Sequence, residues 1–343
     1  MKLTRQPHLQ RPKERQDTGK GPAVFGTKTK RALATIGLGA AFILFPPMLD
    51  GCGSAALAGP AKEARSRRPA YVRTTDPFEL NQSLRDHARR LNTGTNRQKV
   101  TRLHSEMRRG GAHGVRIVSR TGRPPRTAQE ALSQGGDCTD VANIVIALLR
   151  EMGVPGGALM VHFNSAPADT FHMVPYAQLG DRRVIIDLQS DRLGQTAQGR
   201  YTTVLTFTFD QAASMYHSEW GGYLLRNGRN QDAIGAYERA VEIFDGDAHV
   251  HHNLGVLYEA AGNMQLASRH YTRAAQLNPT RYGRQQTRGD YNLELQRGET
   301  AYREGRWSEC AQHFQNALDS GESLTADERQ VIEQYRDACR GRQ

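Results

Sequence analysis

The chain has 343 residues and a formal net charge of +11. The charge is uneven: about +10 over residues 1–73, about +8 over 74–127 and about −7 over 128–343. The basic excess lies in the leading segment and the stretch after it, without aromatic interleaving, which speaks against a nucleic-acid binder. The four cysteines (Cys52, Cys138, Cys310 and Cys339) include no CxxC pair, which excludes a disulfide-framework scaffold and a cysteine-rich metal site.

Residues 1–31 are polar and basic, lack a helical period and read as disordered. Residues 32–52 read as an export signal. Lys28, Lys30 and Arg31 precede the apolar run ALATIGLGAAFILFPPML, which is short for a membrane span and is interrupted by Pro46 and Pro47. Leu49-Asp50-Gly51-Cys52 resembles a bacterial lipobox. Leu49 and Gly51 fit that pattern, and Asp50 departs from it. The resemblance implies cleavage before Cys52, lipidation of Cys52, and a periplasmic or outer-membrane lipoprotein; an uncleaved N-terminal anchor is the main alternative. Residues 53–73 are small and polar and read as a tether.

Residues 74–210 form the first expected domain. Residues 76–109 carry two helical patterns broken at Asn92–Gly94, the first opening at Asp76-Pro77 with Pro at the first helical position. A short helix over 125–133 leads into Gly135-Gly136-Asp137-Cys138. The helix over 138–152 is apolar nearly all round and should be buried, with Gly153 and Pro155 as its stop. Four β-type runs follow, at 158–163, 171–179, 182–189 and 202–209. Short turns between the first three predict an antiparallel meander, and helices followed by strands predict an α+β domain.

Cys138 opens the apolar helix, where the positive end of the helix dipole favours a thiolate. His172 opens one β-run and Asp187 closes another. Cys, His and Asp at the edges of regular elements are the parts of covalent acyl transfer. His162 in ALMVHF is a rival base. Residues Thr127–Gln189 resemble the transglutaminase-like superfamily, whose core is papain-like. The resemblance is carried by Gly136-Asp137-Cys138-Thr139-Asp140, by Leu149 through Gly153-Val154-Pro155, then by His172 and Asp187. It implies Cys138 as nucleophile, His172 as general base and then acid, and Asp187 as the group that orients the imidazole. It also implies an oxyanion hole from the Cys138 N–H and one further donor, for which Gln134 is the candidate. Val174 stands where the family often has an aromatic, and Pro175 requires a place where no ladder N–H is needed.

A 34-residue period appears beyond residue 214. Gly221, Gly228, Ala233, Tyr237 and Ala240 recur as Gly255, Gly262, Ala267, Tyr271 and Ala274. A third copy (Gly298, Gly305, Cys310, Phe314, Ala317) is displaced by nine further residues, placed in TRYGRQQTRGD. The pattern resembles tetratricopeptide repeats over 214–320, an all-α solenoid with a capping helix and tail over 321–343. Cys310 holds a small-residue packing position and reads as a buried thiol; a bridge to Cys339 stays open in an oxidising compartment.

The combined expectation is a membrane-anchored cysteine hydrolase or acyltransferase, amide cleavage ranking above cross-linking, with a repeat groove that binds a protein or peptide. The alternative is an inactive transglutaminase-like scaffold or adaptor of the cell envelope. No cofactor or metal is expected: HExxH is absent, and His249, His251 and His252 fall at exposed-looking repeat positions.

Overall fold

The computed structural model describes residues 71–108, 111, 114–118, 122–163, 171–196 and 199–343. Segments 1–31 and 32–52, candidate lipidation residue Cys52, and the tether up to residue 70 lie outside the described residues. Among the described residues no helix is long and apolar enough to cross a membrane.

Side-chain caps start the first helices. Asn81 accepts from Leu84 N–H at the head of α1 (Gln82–Leu91), and Thr95 and Gln98 form a capping box at the head of α2 (Asn96–Met107). Asp76-Pro77 does not open a helix, contrary to the sequence pattern. The Asp76 carboxylate takes the Phe78 N–H at 2.9 Å and holds a turn, while the Pro77 carbonyl accepts from Ala128 N–H. Helix α3 spans Ala128–Gln134, and α4 spans Cys138–Glu151. Every α4 residue from Cys138 to Leu149 is buried, so α4 is the axis of the domain.

Four antiparallel strands follow: β1 (Gly156–Phe163), β2 (Phe171–Leu179), β3 (Arg182–Ile185) and β4 (Tyr201–Thr208). Their order is β3-β2-β1-β4. The first three form the expected meander, and β4 returns to the far edge of β1. Strand β3 stops four residues short of the expected run because the chain turns at Asp187. Pro175 accepts from Ile186 N–H through its carbonyl, one step beyond the last β2–β3 pair, Tyr176 with Ile185. Its missing N–H therefore falls where the β3 ladder has ended. Alternation along the strands divides the packing. Ala158, Met160, Phe171, Met173 and Phe207 join the core around α4, while Leu159, Val161, Phe163, Val174 and Tyr176 form a second cluster.

Helix α5 (Phe209–Arg226) continues directly from β4, with Thr208 as its cap. Helical hairpins follow: α5 with α6 (Asn230–Ile243), α7 (Ala248–Ala260) with α8 (Met264–Leu277), and α9 (Pro279–Arg303) with α10 (Trp307–Asp319). The nine extra residues of the third copy lengthen α9 to 25 residues instead of forming a loop. Helix α11 (Ala326–Arg340) closes the array. A disulfide joins Cys310 in α10 to Cys339 in α11, with Cα atoms 6.0 Å apart, so Cys310 is a bridged rather than a free buried residue. Tyr71 and Arg73, at the end of the expected tether, are docked on the repeats. The Tyr71 hydroxyl meets His217 Nδ1 at 3.1 Å, and Arg73 ion-pairs with Glu238 and Glu242.

The 34-residue period has a direct steric cause. A Cβ placed on Gly221 lies 2.6 Å from the Tyr237 ring, and one on Gly255 lies 2.5 Å from the Tyr271 ring. Each glycine is the socket for the aromatic of its partner helix. Gly221→Ala is therefore expected to lose about 1–3 kcal/mol of stability by overpacking. Gly235→Ala, in α6 with nothing within 4 Å of the added methyl, should gain about 0.5–1 kcal/mol from helix propensity. Urea denaturation of the two variants reads the opposite signs.

Candidate active site

The start of α4 is assembled from several segments. Gly135 adopts φ +78°, and a Cβ there would meet the Arg116 carbonyl at 2.6 Å; a Cβ on Gly136 would meet the Asp140 Cβ at 2.5 Å. Both close approaches require glycine. Gly136 bonds to the segment beside it, its N–H donating to Arg116 O and its carbonyl accepting from Val118 N–H. Asp137 caps the helix by accepting from Thr139 and Asp140 N–H, each at 3.1 Å. Asp140 closes the box and does more. Its carboxylate accepts from Asp137 N–H, from Arg126 N–H at 2.9 Å, and from the Arg123 guanidinium at 2.7 Å. Asn143 then ties the Arg126 carbonyl to the next turn of α4.

Cys138, in this turn, and His172 and Asp187 beside it are 8 %, 4 % and 5 % exposed. His172 is hydrogen-bonded to Cys138. Its Nε2 lies 3.9 Å from Asp187 Oδ2, an ion-pair separation longer than a hydrogen bond. The Asp187 carboxylate also accepts from Gln189 N–H at 2.9 Å, which fixes its place in the turn after β3. The Phe163 ring flanks His172 at 5.4 Å between centroids. Burial disfavours the charged imidazole. The charge of Cys138 and its hydrogen bond, followed by Asp187 and Asp137, outweigh that cost, and His172 is held above its ordinary range.

The other sequence-selected residues divide. Gln134 ends α3 with its side chain exposed, and its carbonyl accepts from Arg116 and Arg126. The structure thus does not bring the Gln134 side chain into the buried group. His162 is half-buried with its ring against Phe171, 6.2 Å between centroids; the hydrogen bond to Cys138 belongs to His172. The repeat histidines are not exposed as their positions suggest. His251 is buried and pairs with Asp245 at 3.0 Å, while His252 stacks on Tyr282.

Two further carboxylates stand beside Cys138 that the sequence did not mark as site residues. Asp140 was legible, because Asp137 followed three residues later by an acidic residue is a capping-box pattern. Glu219 was not: it belongs to α5, 80 residues beyond Thr139, yet its Oε1 accepts from Thr139 Oγ1 at 2.5 Å. Carboxylate oxygens of Asp137, Asp140 and Glu219 lie within 4.8 Å of one another, the one candidate cation-binding group among the described residues. Asp137 caps, Asp140 pairs with Arg123 and Glu219 holds Thr139, so all three are already employed in the turn.

The second repeat also reaches the site. His249 of α7 packs on Phe171, the neighbour of His172, at 5.5 Å between ring centroids, and is held by the Tyr282 hydroxyl of α9. Paired helices at a fixed period, with glycine opposite an aromatic, decide the nature of this part of the chain. Residues 211–279 match the tetratricopeptide repeat family. That match covers the first two tetratricopeptide hairpins; α9 and α10 extend them beyond it. No curated protein matches the chain. Tetratricopeptide repeats commonly bind proteins or peptides, and the array here is built against the helix that carries Cys138.

Because the Cys138 charge and hydrogen bond raise His172 while burial lowers it, Cys138→Ala should move the His172 titration downward. NMR of the imidazole resonances against pH reads this. The wild-type midpoint is expected above the ordinary 6.5 and the variant midpoint below the wild-type one.

Proposed function

We propose that the protein is a transglutaminase-like cysteine hydrolase or acyltransferase that favours amide cleavage, with Cys138 as nucleophile, His172 as base and Asp187 as the orienting carboxylate. The observation that carries the reading is the hydrogen bond between His172 and Cys138 at the capped start of a buried helix, with Asp187 at ion-pair distance from His172 Nε2. Papain-like architecture is the corresponding fold reading; it rests on the helix-then-sheet order and on the position of the thiol at a helix start.

In this mechanism the Cys138 thiolate attacks the amide carbonyl carbon and forms the C–S bond. The oxyanion is received by the Cys138 N–H and one further donor. The C–N bond breaks as the His172 imidazolium gives its proton to the leaving amine. Water, deprotonated by His172, then attacks the thioester and releases the carboxylic acid and Cys138; an amine in place of water gives transamidation. Asp187 stabilises the imidazolium throughout, at ion-pair distance.

Export as a lipoprotein anchored through Cys52 is the proposed setting. The Cys310–Cys339 disulfide supports an oxidising compartment such as the periplasm. The repeats supply a groove for a protein or peptide partner, the general use of tetratricopeptide arrays.

Alkylation of Cys138 by iodoacetamide, followed across pH by peptide mass, tests the reading. An unassisted thiol with a pKa of about 8.5 is roughly 1 % thiolate at pH 6.5, so His172→Ala should slow labelling at that pH by up to about 100-fold. Slow labelling of the wild type that is indifferent to His172 contradicts catalysis and leaves the scaffold reading.

A further inference from the structure

Helix α5 does two jobs. As the first repeat helix it pairs with α6, and it also packs against α4, β1 and β4. From the second of these faces Glu219 reaches Thr139, the residue that follows Cys138. The Thr139 hydroxyl donates to Glu219 Oε1 at 2.5 Å, with Thr139 2 % and Glu219 4 % exposed. A carboxylate removed from water to this degree is costly unless its site needs it.

The repeat scaffold does not need it. One period later the same position is Asn253, which bonds to the Tyr237 hydroxyl, and in the third copy it is Gln296, which is exposed and bonds to the Gly262 carbonyl. A neutral amide therefore serves the repeat fold at this position. The carboxylate stands only in the copy that abuts α4, beside the carboxylates of Asp137 and Asp140.

We propose that Glu219 is a positioning residue for Cys138, acting through Thr139, so that the first tetratricopeptide hairpin is a working part of the acyl-transfer site and not a separate recruiting module. The proposal rests on the reading of Cys138 as nucleophile. Glu219 fixes the Thr139 rotamer and with it the first turn of α4, which sets the line between sulfur and imidazole. His249, packed on Phe171, braces the strand that carries His172. Both members of the Cys–His pair are thus held from the repeat side.

The test uses the full chain and the pH profile of Cys138 alkylation. Thr139→Val removes the donor with nearly the same shape, Thr139→Ser restores it, and Glu219→Gln keeps an acceptor while removing the charge. Thr139→Val and Glu219→Ala should each slow labelling at pH 6.5 by about fivefold or more, the worth of one hydrogen bond. Their inflection should move to higher pH, and the double variant should be no worse than the weaker single one. Thr139→Ser should label like the wild type, and Glu219→Gln should lose less than Glu219→Ala. A purely structural role gives lower melting temperatures with the wild-type pH profile below them, and that result overturns the proposal. If the wild type shows no His172-dependent labelling, the nucleophile reading fails and this one with it. If the wild type does and the Thr139 and Glu219 variants match it, only the positioning role fails.

Discussion

The first turn of α4 has to be buried and hydrogen-bonded at the same time, and the arrangement around Cys138 follows from that requirement. A helix start leaves unpaired N–H groups, and here they lie in a buried turn. Asp137 and Asp140 supply the acceptors, which places two carboxylates in the interior. Those carboxylates in turn require donors and a cation, found in Arg126 N–H, Asp137 N–H and Arg123. Gly135 and Gly136 are needed because the Arg116 carbonyl and the Asp140 side chain come too close for any Cβ. The thiol is therefore held by a turn with few other conformations open to it, the preorganisation that the proposed nucleophilic role would need.

The repeats follow a separate rule and meet this turn at one helix. Within the array each glycine receives the aromatic of its partner helix, so stability builds hairpin by hairpin. The disulfide fastens the last hairpin to its closing helix. At the other end α5 serves two cores at once, its Trp220 and Tyr223 in the repeat cluster and its Ala212 and Met215 in the core around α4. Tyr71 and Arg73 lie against the same hairpin, so the chain entering the described region is fastened there as well.

The elements that depend on local pattern were legible in the sequence. The apolar run of α4, the short β-type runs of β1 and β2 and the 34-residue period each carry their structure in the local sequence. Cys138, His172 and Asp187 stand out in the sequence at the edges of a helix and two β-runs, but β3 ends at Ile185 and leaves Asp187 in the turn that follows. Elsewhere, local pattern lost to tertiary demand. Asp76-Pro77 reads as a helix start, but its backbone is used by a turn and by Ala128. The run at 182–189 reads as one strand, but β3 ends at Ile185 and the Asp187 carboxylate accepts from Gln189 N–H in the turn that follows. Glu219 and His249 were invisible because nothing in a repeat pattern marks which copy will touch another domain. The Cys310–Cys339 pairing needed the third dimension, since only the α10–α11 packing brings the two Cα atoms within reach.

The most direct measurement is of the covalent intermediate itself. The full-length protein is mixed with p-nitrophenyl acetate, and the products are followed by intact and peptide mass. The account predicts a burst of p-nitrophenol, one acetyl group held as a thioester on Cys138, no adduct in Cys138→Ala, and a longer-lived adduct in His172→Ala because deacylation has lost its base. Acetylation spread over lysines with Cys138 unmodified, or a Cys138 adduct whose formation and decay ignore His172, contradicts it.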